Sequence, residues 1–152
     1  MTSKHTILYV EDDLALLDLS TNFLERTGYR VVAARNGMEA WKILRSKHFD
    51  LLITDYELPL LNGLDLVAKT RIEGLDIPVI VTSGYAIDLD KPSHEWLQIA
   101  AWLQKPFTLD TLADAAKRIL AGPPTRTRLK LSALFFSDQI PPFSSPHGGL
   151  NE

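Results

Sequence analysis

The sequence predicts an α/β protein in which a parallel sheet is covered by helices on both faces. Three observations carry this. Five short apolar runs alternate with five stretches of helical period, at the spacing of right-handed βαβ crossovers. The run Leu51-Leu52-Ile53 is continuously apolar and too short for a helix, as in a strand buried on both faces. That run ends in Thr54-Asp55, so a carboxylate stands at the C-terminal tip of a buried strand. In open parallel sheets the ligand crevice lies at that edge.

In chain order, His5 to Val10 is the first predicted strand, stopping at Glu11-Asp12-Asp13. The period then changes. Leu16, Leu19 and Phe23 recur at i, i+3 and i+7, the inward face of a first helix, with Gly28 as its C-cap. Arg30 to Ala34 is the second strand. Asn36-Gly37 opens a second helix with Ala40, Ile43 and Leu44 inward and Lys42, Arg45 and Lys47 in water. After the strand ending at Asp55, Pro59 and Asn62-Gly63 delay the third helix, which runs from about Leu64 to Ile72 on a stripe of Leu64, Val67 and Ala68. Pro78 to Thr82 is the fourth strand. Pro92 suits a helical N1 position and marks a short fourth helix. Ala100 to Leu103 is the fifth strand, cut off by Lys105-Pro106. The last helix turns Leu109, Leu112, Ala116 and Ile119 to one face and ends at Gly122.

Composition narrows the function. The hydrophobic share of 45% and charged share of 23% are those of a soluble globular chain. No apolar run approaches the roughly 18 residues that span a bilayer, and the N-terminus reaches acidic residues too soon for a signal peptide. The absence of cysteine excludes disulfide and thiolate chemistry. These features make the cytoplasm the expected location. The net charge of −3 argues against nucleic acid as a direct partner, which needs a clustered basic face. His5, His48, His94 and His147 lack the spacing of a metal site.

The chemistry-bearing residues share one sheet edge. Glu11 and Asp12 follow the first strand, Asp55 ends the third, Thr82-Ser83 end the fourth and Lys105 follows the fifth. Three carboxylates brought together raise one another's pKa and destabilise the fold unless a cation joins them. An oxygen-only donor set suits a hard ion, Mg²⁺ foremost. A lysine and a hydroxyl converging on the same point supply what a phosphoryl group needs, a point charge and a hydrogen-bond donor.

The run VEDD after the first strand, ITDYELP with Gly63 eight residues past Asp55, PVIVTSGY and QKPF appear in this order. With them the chain resembles the response-regulator receiver domain of two-component signalling, from about Lys4 to Gly122. The resemblance implies a flavodoxin-like sheet of strand order 2-1-3-4-5. It makes Asp55 the phosphoacceptor and places Mg²⁺ on Glu11, Asp12, Asp55 and the backbone carbonyl of Glu57. Lys105 would pair with the phosphoryl group across a cis bond to Pro106, Ser83 would be the switch hydroxyl, and Trp102 stands where the family often has a switch Tyr or Phe. Asp13 reads as a helix N-cap or a first-turn charge. The sequence departs from the pattern at Gln98-Ile99, where a Gly-Ala pair is common, and at Trp102, whose bulk would hinder an inward rotamer. Glu57 and Tyr85 flank the site at positions where the family varies.

The implied role is a stand-alone receiver (residues 1–122) that takes its phosphoryl group from a histidine kinase or phosphotransfer protein and signals through a downstream protein target. It would catalyse only its own phosphorylation and dephosphorylation. The fourth and fifth helices offer a face for homodimers. The alternative is a receiver-like interaction module that works without phosphorylation. A phosphatase with an aspartate nucleophile fits poorly, since the first strand is followed by Glu11-Asp12-Asp13-Leu14-Ala15 rather than D-x-D-x-T/V. Residues 123–152 are Pro, Ser and Gly-rich and too few for an output domain. They read as a disordered tail, or as one in which Leu129 to Phe136 docks on its own domain or a partner.

Overall fold

Alternation along the strands divides the core into two layers. A computed structural model describes residues 4–122 apart from 87 and 89, and the expectations for the tail lie outside the described residues. The elements are β1 (Thr6–Val10), α1 (Leu14–Arg26), β2 (Arg30–Ala34), α2 (Gly37–Ser46), β3 (Leu51–Asp55), α3 (Gly63–Ile72), β4 (Val79–Ser83), α4 (Pro92–Glu95), β5 (Ala101–Gln104) and α5 (Leu109–Leu120). All sheet pairings are parallel and the strand order is β2-β1-β3-β4-β5, the flavodoxin-like order expected. Successive side chains of a strand point to opposite faces. Ile7, Tyr9, Leu51, Ile53, Ile80 and Leu103 therefore pack with α1 and α5. Leu8, Val10, Leu52, Val79, Val81 and Trp102 pack on the other face with α2 and α3. Every residue of β3 and β4 is buried, as a strand covered on both faces requires.

Helix starts follow from side-chain capping. Asp13 Oδ1 accepts from the backbone N–H groups of Ala15 and Leu16, Asn36 from Glu39, Asn62 from Asp65 and Thr108 from Thr111. Gly28 follows α1 at φ +109°, the left-handed turn a glycine allows, in agreement with its reading as a cap. Among the described residues no helix is long and apolar enough to cross a membrane.

The inward face of α1 is displaced from the expected one. Leu19 is 60% exposed, and Leu17, Ser20 and Leu24 are buried instead. The i, i+3, i+7 spacing recurs one residue further on, but its middle position is a serine, and the apolar pattern conceals it. In α3 the fully buried Leu66 joins the predicted Leu64 and Val67. The fourth and fifth strands each sit one residue later than expected, at Val79–Ser83 and Ala101–Gln104.

Arg71, near the end of α3, ties the half of the molecule around α4 together. Its guanidinium donates to the carbonyls of Leu97, Leu75 and Ile77 at 2.7, 2.8 and 2.8 Å and reaches that of Gln98 at 3.3 Å. Gln98 itself has φ +52°, so the position where a glycine is common keeps a left-handed backbone although glutamine occupies it.

Candidate functional site: an acidic crevice at the sheet edge

Parallel strands leave their C-terminal ends on one edge, and the tips of β1, β3, β4 and β5 deliver their polar residues to it. Pairing of β1 with β2 extends past the strand, since Glu11 N–H donates to Ala34 O at 3.0 Å, and this fixes the Glu11 backbone. The Glu11 side chain is 1% exposed and Asp55 is 5% exposed, while Asp12 is open to solvent. Carboxylate oxygens of Glu11, Asp12 and Asp55 all lie within 4.8 Å of one another.

Lys105 bridges the two buried acids. Its Nζ lies 2.6 Å from Glu11 Oε1 and 2.9 Å from Asp55 Oδ2. The lysine is held by its own backbone, whose N–H donates to Ser83 O at 2.7 Å, and by a cis Lys105-Pro106 peptide, as the resemblance implied. Burial pushes the Glu11 carboxyl up to about 7, against the lowering effect of its hydrogen bond to Lys105 and with further upward pressure from Asp55. For Lys105 burial acts downward, but its hydrogen bonds to both carboxylates prevail and hold the ammonium above the ordinary lysine range.

The loop after Asp55 is bound back onto the strand tips. Tyr56 N–H donates to Thr82 O at 2.7 Å, Glu57 N–H to Asp55 Oδ1 at 3.3 Å and Gly63 N–H to Tyr56 O at 2.8 Å. Gly63 packs directly on the Asp55 backbone, where any Cβ would overlap the Asp55 carbonyl oxygen. The sequence marks Gly63 by its distance from Asp55; the reason, close approach of α3 to the strand tip, is visible only in three dimensions. On the other side Ser83 is wholly buried, and its Oγ accepts from Tyr85 N–H at 2.9 Å.

Glu11, Asp12, Asp55, Lys105 and Ser83 thus gather at one edge, with the Glu57 backbone against Asp55. Trp102 is placed differently from its expected hindrance. It is 1% exposed and already inside the α2–α3 layer, its indole N–H without a hydrogen-bond partner among the described residues.

The donor set fits a hard divalent cation. Three carboxylates face the Lys105 ammonium, all donors are oxygen, and burial keeps the Glu11 carboxyl raised in spite of its ion pair with Lys105.

A doubly wound parallel sheet with an acidic, lysine-bridged crevice at its C-terminal edge places this chain among the α/β proteins whose ligand site lies beyond the carboxyl ends of the strands. The sequence pattern of the response regulator receiver domain matches residues 7–117, and the chain belongs to that family. It is 34% identical over 127 residues to a probable transcriptional regulatory protein of Picosynechococcus, an alignment covering 79% of this chain and 51% of that protein. Sporulation initiation phosphotransferase F of Bacillus subtilis is 29% identical over 75% of this chain and 92% of its own length. The response regulator protein TrrA from Thermotoga maritima, solved in complex with Mg²⁺–BeF, superposes with a TM-score of 0.66 at 29% identity, covering 74% of this chain and 96% of that one. The chain spans about half the length of several curated relatives it matches.

Proposed function

We propose that this receiver accepts a phosphoryl group on Asp55, from a histidine kinase or a histidine phosphotransfer protein, and passes the signal to a downstream protein. The observation that carries the reading is the placement of Asp55. It is nearly buried, 2.9 Å from the Lys105 ammonium and within ligand distance of two further acids.

In the transfer an Asp55 carboxylate oxygen attacks phosphorus in line, the O–P bond forms, and the N–P bond of the phosphohistidine breaks with its electron pair returning to the imidazole. Glu11, Asp12, Asp55 and the Glu57 carbonyl would hold Mg²⁺. The ion supplies electrostatic neutralisation of the phosphoryl oxygens when bound. Lys105 is within reach of the same oxygens because it already sits on Asp55. Moving from the carboxylates to the incoming group, it supplies a positive charge without crossing solvent.

Ser83 couples the event to the surface. Its hydroxyl is free to donate while accepting from Tyr85 N–H, and an acyl phosphate on Asp55 gives it a strong acceptor. Movement of Ser83 draws the β4–α4 loop with it. Trp102, already inside, would answer by repacking within its layer rather than by entering from solvent. The states so biased differ on the α4–β5–α5 side. Kinase, target and any homodimer are read from the family's general behaviour.

Intact-protein mass after incubation with a small acyl-phosphate donor tests the reading. A single phosphoryl adduct that needs Mg²⁺ and is absent from Asp55→Asn is expected. Equal labelling of the variant, or none of the wild type with several donors, would instead favour a module that works without phosphorylation.

A further inference from the structure

The edge of the sheet opposite the crevice carries a cleft of about 370 Å³. It lies where His5, Asp50 and Pro78 lead into β1, β3 and β4, beside the C-terminal ends of α2 and α5. Its apolar walls are Leu44, Phe49, Leu75, Ile77, Pro78 and Leu120. The volume is at the small end of the range for ligand clefts, about 300–1,000 Å³, and suits a few side chains rather than a whole secondary-structure element. Asp50 and Asp76 stand at its rim with Lys47 and His48. The Asp50 carboxylate is already engaged by Thr6 N–H at 2.8 Å and by His48 at 3.3 Å, whereas Asp76 is exposed, with the Arg71 guanidinium close enough to feel its charge. None of these residues takes part in the phosphoryl chemistry proposed above.

Leu120 is both a wall of this cleft and the last residue of α5, and the described chain ends at Gly122, two residues past the cleft wall. Within them Leu129, Leu131, Leu134, Phe135 and Phe136 are large and apolar, and Arg126, Arg128 and Lys130 alternate with the start of that run. In an extended segment this alternation puts the basic groups on one side and Leu129 and Leu131 on the other. Six residues lie between Gly122 and Leu129, seven steps that span at most about 25 Å when extended, so the run starts within easy reach of the cleft. A tether this short gives the segment an effective concentration that a free partner would have to match.

We infer that the segment Leu129 to Phe136 of this same chain folds back into the cleft. Leu131 and one of the two phenylalanines fill the apolar walls, and Arg128 or Lys130 faces Asp76. The segment covers the edge of the domain farthest from Asp55, so it leaves the crevice open to a phosphoryl donor.

The chain has no cysteine, so Ser132→Cys gives a single attachment point for a nitroxide spin label on the full-length protein. In isotope-labelled protein the expected result is strong attenuation of the amide signals of Leu44, Ile77 and Leu120, relative to the reduced label, with Val10 and Asp55 unaffected. Adding Leu131→Ser and Phe135→Ser to the labelled chain should restore those signals. Both substitutions lie beyond α5, and unchanged crevice signals verify that the domain is folded. Attenuation confined to other regions, no attenuation, or attenuation that survives the double substitution overturns the inference. So does equal attenuation when the spin label is carried only on a second, unlabelled copy, which would make the occupant another molecule.

Discussion

The Lys105 ammonium lies 2.6 Å from Glu11 and 2.9 Å from Asp55, side chains 94 and 50 residues away in the chain. One cation therefore serves two buried acids, and the crevice is poised between internal pairing and binding something more positive. Lys105→Met leaves both carboxylates without their partner. Loss of stability of about 1–3 kcal/mol is expected in the absence of metal, since unsatisfied buried charged groups are the costly case. Mg²⁺ should bind the variant more tightly than the wild type while phosphoryl uptake falls. Urea unfolding with and without Mg²⁺ measures the first effect, and equal metal affinity of the two proteins would contradict the electrostatic account.

Glu11 makes metal-free stability depend on pH. Its carboxyl is raised by burial from 4.5 to about 7, so between these values the folded protein binds more protons than the unfolded chain. The contribution is fully present below pH ~4.5 and lost as pH rises through ~7. Its size is at most on the order of 3 kcal/mol. Glu11→Gln should remove this part of the slope, as read by denaturant unfolding at several pH values in chelator. Saturating Mg²⁺ should also flatten it, because a bound cation favours the ionised carboxylate. An identical pH dependence in variant and wild type would remove Glu11 from the explanation.

Gly63→Ala is expected to damage the crevice. The added methyl meets the Asp55 carbonyl, a backbone atom that cannot rotate away, so α3 must shift. Destabilisation of about 1–3 kcal/mol and a large loss of phosphoryl uptake should appear together. Retention of both would show that the strand tip tolerates movement.

Among the described residues, two hold left-handed backbone without being glycine. Leu60 has φ +70° and is 79% exposed, and Gln98 has φ +52°. The conformation costs an L-residue roughly 1–2 kcal/mol, and part of that is offset by the greater unfolded-state freedom of glycine. Leu60→Gly should therefore raise stability by about 0.5 kcal/mol, visible as a small increase in Tm. A decrease would mean that the Leu60 side chain makes a stabilising contact despite its exposure.

Arg71 is expected to set the local stability of the α4–β5 segment. Arg71→Met leaves the carbonyls of Leu75, Ile77, Leu97 and Gln98 without a shared donor. Overall stability should fall by about 2–4 kcal/mol, and hydrogen exchange should accelerate first in residues 97–101. Uniform acceleration across the sheet would argue against a local clamp.

The fold was legible because strands buried on both faces and amphipathic helices carry different periods, and the five alternations kept their order. The inward face of α1 was not, because Ser20 occupies a core position and burial of a small polar residue leaves no apolar signal. The crevice acids could be placed together from strand ends alone. The Arg71 clamp could not, since its partners are main-chain carbonyls up to 27 residues away and any residue type supplies those.

The central claim is that the phosphoryl group is carried by Asp55, and it is tested most directly by locating the modified residue. Borohydride reduction of the acyl phosphate, followed by peptide mass spectrometry, converts the modified aspartate to homoserine and marks its position. The conversion is predicted at Asp55 alone, dependent on Mg²⁺ during labelling. Conversion at Asp12 or Asp13 with Asp55 intact would contradict the account.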